Sequence, residues 1–250
     1  MRFSFTEEQD ELRRQARALL DEREPTWAEL AELGWLGVSV PEEAGGAGLG
    51  FVEEAILFEE LGRALYPGPY FATIGLALPG LPAEEQILVA RGELQFEVGE
   101  VSLDDPAIRM RAFAALAAEA VGIAQKALEL ALEYASSREQ FGKPIGIYQA
   151  VSHPIVDTYV ETELARSLAY WAAWCVSEGE DQVELAALAA KSYAAETAVA
   201  ACERSIQVHG GIGFTWEHPL HRYYKRAQWI EAFGGYPAKQ RAEIADSLLA

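Results

Sequence analysis

The strongest constraint on this chain is a succession of three long segments with helical apolar spacing, parted by short breaks that carry glycine and proline. From Ala107 to Ser136, Phe113, Leu116, Ala120, Ala124, Leu128 and Leu132 fall on one stripe, and Ile123, Ala127, Leu130 and Tyr134 on another. A helix with two apolar stripes is buried on two sides, as inside a bundle. At its ordinary rise such a helix spans roughly 45 Å. The second segment runs from about Val151 to Val176 with Val156, Val160, Leu164, Leu168, Trp171 and Cys175 in register. The third, from about Glu184 to Val208, repeats Leu185, Leu188, Ala195, Val199, Cys202 and Ile206 at spacings that alternate between three and four. Shorter helical pieces follow Pro219 and Pro237. Residues 107–250 therefore read as a C-terminal domain of four-helix-bundle type.

Ahead of it, residues 1–78 read as a smaller helical lobe. Thr6 and Gln9 form a capping box, followed by Leu12, Ala16 and Leu19 on one face. A second helix is expected to start at Pro25 and to stop at Gly34. The run from Gly45 to Gly50 reads as a flexible turn, after which Val52–Ala64 resumes helical spacing through Ile56 and Leu61. Residues 79–106 differ in kind, with Pro79, Pro82, a β-like run Leu94–Val98 and Asp104-Asp105-Pro106. They read as a connection holding at most one small hairpin. The expected fold class is all-α, in two helical lobes.

Charge narrows the partners. The formal net charge is −19, so a nucleic-acid backbone or an anionic membrane surface is repelled. One well-placed arginine can still hold a small phosphorylated ligand locally. The first residues turn acidic at once and lack the apolar run of a signal peptide, and no stretch has the length of a membrane span. Cys175 and Cys202 fall on apolar helical stripes and read as core thiols. The expected compartment is the cytoplasm.

Two breaks between the long segments carry residues with chemical potential. The first, Tyr134–Gln149, sets Arg138, Gln140, Phe141 and Gly142 beside Pro144. An arginine fork next to a ring at a helix end is able to bind a phosphate and stack an adenine. An interhelical turn with its arginine in a salt bridge is the competing reading. The second break, Gln207–Glu217, carries Gly210 and Gly211, which let a backbone approach a ligand closely but also serve any helix C-cap. No strand precedes it, which excludes a Rossmann reading. His218 and His221 lack the further ligands a metal site needs, and Tyr170, Trp171 and Trp174 read as core or interface.

In this order, Arg138-x-x-Phe-Gly-x-Pro-Ile-x-x-x-Gln149 and Gln207-x-x-Gly-Gly-Ile-Gly-Phe214 resemble the two signature segments of the acyl-CoA dehydrogenase family. Leu33–Leu49 and Glu59-Glu-Leu-Gly-Arg63 are similar to that family's helical start. The resemblance covers all but the middle of the chain. It implies an FAD-dependent oxidoreductase that desaturates an acyl-CoA thioester at the Cα–Cβ bond, with FAD extended across a subunit interface. It assigns Arg138, Gln140 and Phe141 to the adenosine diphosphate part of FAD, with Ile145, Tyr148 and Val151 lining the same site. Gln207, Gly210 and Gly211 would approach from a neighbouring subunit, and Phe233 and Tyr236 would lie beside the flavin.

Two departures accompany the resemblance. The family's middle β-barrel is replaced by the 27 residues Pro79–Asp105, too few for a closed barrel. The two positions at which family branches carry the glutamate base are Ala112 and Gly234, neither of which accepts a proton. Glu119 and Glu231 lie near these positions in sequence and read as solvated surface residues. The expected function is thus a base-lacking or partner subunit of an acyl-CoA dehydrogenase, self-associating as a dimer or tetramer or joined to a longer subunit that has the glutamate. A non-catalytic helical scaffold that has lost flavin and substrate is the alternative, and activity through an unrecognised base a third.

Overall fold

The computed structural model describes residues 4–249. Nine helices account for most of it: α1 (Glu7–Glu22), α2 (Trp27–Glu32), α3 (Phe51–Ala64), α4 (Ala83–Ala90), α5 (Pro106–Ser137), α6 (Gln149–Glu178), α7 (Val183–His209), α8 (Leu220–Ala232) and α9 (Pro237–Leu249). The only strands among the described residues are the two-residue β1 (Glu139–Gln140) and β2 (Lys143–Pro144), paired antiparallel. The all-α expectation holds.

α5 and α7 form the centre. Their facing sides are rich in alanine, with Ala114, Ala117, Ala118 and Ala124 on one and Ala190, Ala194 and Ala198 on the other, all fully buried. Small side chains let the two helices pack closely along their length. α3 crosses α5 with backbones almost touching. A Cβ at Gly62 would strike the Glu119 carbonyl, and one at Gly122 would strike the Glu59 carbonyl.

Flanking that crossing is a set of buried ion pairs. Glu59 on α3 receives Arg13 of α1 (3.2 Å), Arg166 of α6 (3.0 Å) and the hydroxyl of Tyr170 (2.7 Å). Glu60 receives Arg17 in a bidentate pair at 2.9 and 2.7 Å. Arg63 bridges Asp21 and Glu129. Four helices are tied through one turn of α3.

Several expectations are corrected. The second helix starts at Trp27, because Thr26 with Glu29 completes a capping box and leaves Pro25 outside. The Gly45–Gly50 run is not a flexible turn. Ala47, Gly48 and Leu49 donate to the carbonyls of Gly37, Val40 and Val38, each at 2.9 Å. Leu94–Val98 forms no strand; no partner strand exists beside it, and the Phe96 N–H donates instead to the Thr73 hydroxyl at 3.0 Å. The middle segment is helical in part, through α4, and lays Leu94, Phe96, Val98, Val101 and Leu103 against the core. On α6, Val156, Val160 and Leu164 share a register with core residues yet face solvent.

Candidate functional site

The turn after α5 is built around an unusual backbone. Arg138 caps α5, its N–H donating to the Tyr134 carbonyl at 2.8 Å and its carbonyl accepting from Ile145 N–H at 2.8 Å. β1 and β2 then form a two-residue hairpin with Phe141 and Gly142 at its tip, at φ of 54° and 75°. Tight hairpins ask for positive φ at both tip residues, which suits glycine or asparagine and strains an aromatic residue. Phe141 is nevertheless there, with its ring 91% exposed.

Arg138 is exposed and, among the described residues, has no carboxylate partner, as is also true of Arg91 and Arg222, whereas Arg63, Arg111, Arg166, Arg204 and Arg226 are paired. In a chain of net charge −19 this is a guanidinium left open for an anion. The salt-bridge reading of this turn is therefore set aside. Gln140 donates only to its neighbour's carbonyl, and the Tyr148 hydroxyl donates to the Gln140 carbonyl at 3.2 Å. Ile145 and Val151 pack under the hairpin against Leu128, Ala131, Ala135 and Ile155.

The Gly210-Gly211 turn lies beside this hairpin in the same chain. Val208 joins the cluster under the hairpin. The Tyr134 ring stacks on His209, with centroids 4.5 Å apart. Gln207, Gly210 and Gly211 thus continue from the Arg138 hairpin within this chain. Gly210 has a φ of 61°, and Gly211 has open space where a side chain would lie. Exposed backbone, an unpaired arginine and a free ring fit the adenosine diphosphate part of FAD.

Phe233 and Tyr236 lie elsewhere. Phe233 is edge-on to Phe71 at 5.3 Å and packs on Trp229, while Tyr236 is exposed. Between them Gly234 (φ 68°) abuts Phe113: a Cβ there would be 2.5 Å from the ring and 3.8 Å from Leu103. Phe113 and Arg138 are both on or next to α5, and 25 residues at helical rise separate them by about 37 Å.

Ala112 is fully buried. A cleft of about 1010 Å³ opens beside these positions, with Leu103, Arg111, Glu184, Gly234 and Lys239 among its lining residues. Glu119 is not a surface residue: it is buried and holds Arg226 at 2.6 and 2.9 Å. Glu231 is half-buried, and burial pushes its carboxyl above the ordinary range. Gly234→Glu is expected to lower stability by about 1–3 kcal/mol in denaturant melts, because Phe113 already fills the space and the φ is positive. It is also expected to create no dehydrogenase activity.

Sequence reasoning passed over Tyr134 and His209 as a pair and Lys191 altogether. Tyr134 looked like one more stripe residue, and Lys191 is a lone cation in an apolar helical run. His218 and His221 engage backbone, His218 Nδ1 accepting from Leu220 N–H at 3.3 Å and His221 Nδ1 lying 2.8 Å from the His218 carbonyl. Among the described residues no cluster of three metal-ligating side chains occurs. Tyr170, Trp171 and Trp174 are half-buried against the core, and among the described residues no helix is long and apolar enough to cross a membrane.

Residues 6–82 match the family model described as acyl-CoA dehydrogenase, N-terminal domain, and residues 110–249 the one described as acyl-CoA dehydrogenase, C-terminal domain. The chain belongs to the acyl-CoA dehydrogenase family. A similar family member is the acyl-CoA dehydrogenase IpdE2 of Mycobacterium tuberculosis, 34% identical over 82% of this chain and 80% of that one. Among solved structures, a variant of the steroid ACAD Tcur3481-Tcur3483 is 25% identical and aligns with a TM-score of 0.84 over 97% of this chain and 98% of its own. The ChsE4-ChsE5 complex of Mycobacterium tuberculosis shares the fold at 23% identity, with a TM-score of 0.85 over 100% of this chain and 99% of its own. In this family member no strand stands between the two matched ranges.

Proposed function

We propose that this chain is a subunit of an FAD-dependent acyl-CoA dehydrogenase that holds the cofactor's adenosine diphosphate part and leaves proton abstraction to a partner subunit. The observation that carries this reading is the pairing of a strained, solvent-exposed Phe141 with an unpaired Arg138 on one surface. When bound, FAD supplies the hydride acceptor for oxidation of the acyl Cα–Cβ bond. This chain's residues would bind and orient it: Arg138 as a charge-assisted donor to phosphate, Phe141 as a stacking face, and Gly210 and Gly211 as close backbone. Gln140, Ile145, Tyr148, Val151 and Gln207 complete that wall. The division into an N-terminal helical domain (1–78), a vestigial middle segment (79–106) and a cofactor-holding, oligomerising domain (107–250) belongs to the same reading.

The separation of the two half-sites supports assembly. With Arg138 and the Phe233–Tyr236 loop about 37 Å apart along α5, a flavin bound at one chain's Arg138 would lie against another chain's loop. The surface next to the hairpin suits such contact. Ile147, Val156, Tyr159, Val160 and Leu164 are all about half exposed and form an apolar ridge running away from it. The double substitution Val160→Glu and Leu164→Glu is expected to shift the chain to a smaller species in sedimentation while leaving its helical circular dichroism unchanged. Unaltered sedimentation would remove this ridge from the interface. The partner is a second copy of this chain or a longer acyl-CoA dehydrogenase subunit that carries a glutamate and a barrel wall. The similarity to the ChsE4-ChsE5 complex, an assembly of two named chains, supports the second. Both would work on acyl-CoA in the cytoplasm.

The absence of strands in residues 79–106 favours a second reading, a helical scaffold without flavin. Visible absorbance separates the two. A flavin spectrum in the purified or FAD-loaded chain sinks the scaffold, and a chain that stays colourless with added FAD, alone and with a longer relative, sinks the cofactor site.

A further inference from the structure

Among the described buried charges, Glu54, Glu59, Glu60, Arg63 and Glu119 each touch an opposite charge. Lys191 does not. It lies in the middle of α7 with no exposed surface, and its amine donates to the Glu231 carbonyl at 3.3 Å. That carbonyl is in the last turn of α8, where the helix leaves its final oxygens without intrahelical partners and carries the negative end of its dipole. On its other side the amine lies 5.6 Å from the centre of the Phe113 ring. The same ring sits against Gly234.

We propose that Lys191 is a positioning residue for the Phe233–Tyr236 loop, capping the end of α8 from α7 and holding Phe113 in the contact that shapes Gly234. Burying a cation against a neutral carbonyl and a ring is unfavourable compared with a methionine of similar size. The loop leaves α8 two residues after the capped carbonyl. Its own hydrogen-bonded ties are Phe233 N–H to the Trp229 carbonyl at 3.0 Å, Gly235 N–H to the Ala232 carbonyl at 3.1 Å, Lys239 N–H to the Tyr236 carbonyl at 2.8 Å, and Gln240 to the Gly235 carbonyl at 2.8 Å. Two successive glycines at positive φ offer no stiffness of their own. Phe71 and Trp229 hold the Phe233 ring inward, and the Lys191 cap adds an anchor at the helix end from which the loop departs.

Burial lowers the amine from its ordinary value of 10.5 to about 8, opposed by the nearby Glu231 carboxylate. Phe113 from α5 and Glu231 from α8 are the groups that face it, and Glu231 is the charged side chain bearing on it. Loss of the proton weakens the cap, so anchoring falls as pH rises through about 8. Global stability from the same group moves the other way. The unfolded amine holds its proton up to about 10.5, so the contribution to stability rises between about 8 and 10.5. Opposite trends separate positioning from bulk packing.

The bearing of this loop on catalysis rests on the proposed flavin-holding function, but its order does not. The test is hydrogen exchange of peptides covering residues 229–240 in the full chain without added flavin, from pH 6.5 to 9.5, corrected for intrinsic rates. The unsubstituted chain should lose loop protection in one step near pH 8. Lys191→Met should exchange about ten-fold faster there at pH 7, with no step and with α5 unchanged. A flat profile in the unsubstituted chain, or full protection in Lys191→Met, overturns the proposal. If Lys191→Met does not fold, the step in the unsubstituted chain decides alone. A chain that never takes up FAD yet shows the step keeps the anchor and loses the flavin reading.

Discussion

Arg138→Ala is expected to weaken FAD binding by about 10- to 100-fold, the loss of one charge-assisted contact to phosphate worth roughly 1.5–3 kcal/mol. The expectation follows from what Arg138 lacks. Arg138 caps its helix through its backbone N–H alone, and its guanidinium has no carboxylate partner among the described residues. Its removal therefore breaks no internal ion pair, and the melting temperature should stay within experimental scatter. Lys143, exposed on the facing strand of the same hairpin, is the cation that remains nearby. Fluorescence titration with FAD of the chain, or of its complex with a longer relative, measures the effect. Unchanged affinity at unchanged stability would show that the hairpin does not hold the cofactor's phosphates. Arg138→Lys separates charge from geometry, since a point charge keeps the attraction and loses the fork.

The second large effect is on stability. Glu59→Ala should destabilise the fold by about 3–5 kcal/mol, because it strips a buried carboxylate from two arginines that remain. Arg13 and Arg166 both reach Glu59, and Tyr170 donates to it. Arg166 keeps Glu163 and Gln125 as partners, but Arg13 is left with Tyr170 and a more distant Glu60. Tyr170 has its hydroxyl pushed well above its usual range by burial and by Glu59. Denaturant melts measure the loss, and a value under about 1 kcal/mol would place the cluster with ordinary surface pairs. Glu11→Ala, which removes a solvent-exposed partner of Arg14, is the control and should fall within about 0.5 kcal/mol.

The sequence reveals the helices of this fold more readily than their surroundings. Two apolar stripes placed α5 at the centre, and the Thr6 capping box marked the start of α1 to the residue. The Gly45–Gly50 loop was misread because its order comes from carbonyls on Gly37, Val38 and Val40 that periodicity does not see. Alternation at Leu94, Phe96 and Val98 gave a true inward-facing pattern, but a strand needs a partner and none is present. On α6 the spacing of Val156, Val160 and Leu164 is that of a core helix, and only the packing shows that this face is left open. At the candidate site, residue types and spacing pointed to the Arg138 hairpin and the Gly210 turn. The Tyr134–His209 stack, which sets the two breaks side by side, joins residues 75 positions apart and leaves no local trace.

The near-contact of α3 and α5 has a consequence for how members of this family can be shortened. Gly62 and Gly122 are required by the crossing itself, whatever the fate of the flavin, while Phe141, at positive φ on the hairpin tip, plays no part in it. Selection for architecture and selection for chemistry therefore act on separate residues. Among relatives that have also shed the barrel, those that keep the two crossing glycines but replace Phe141 with asparagine or glycine should be scaffolds. Those that keep all three should still bind flavin, and the hairpin tip alone distinguishes an abandoned cofactor site from one in use.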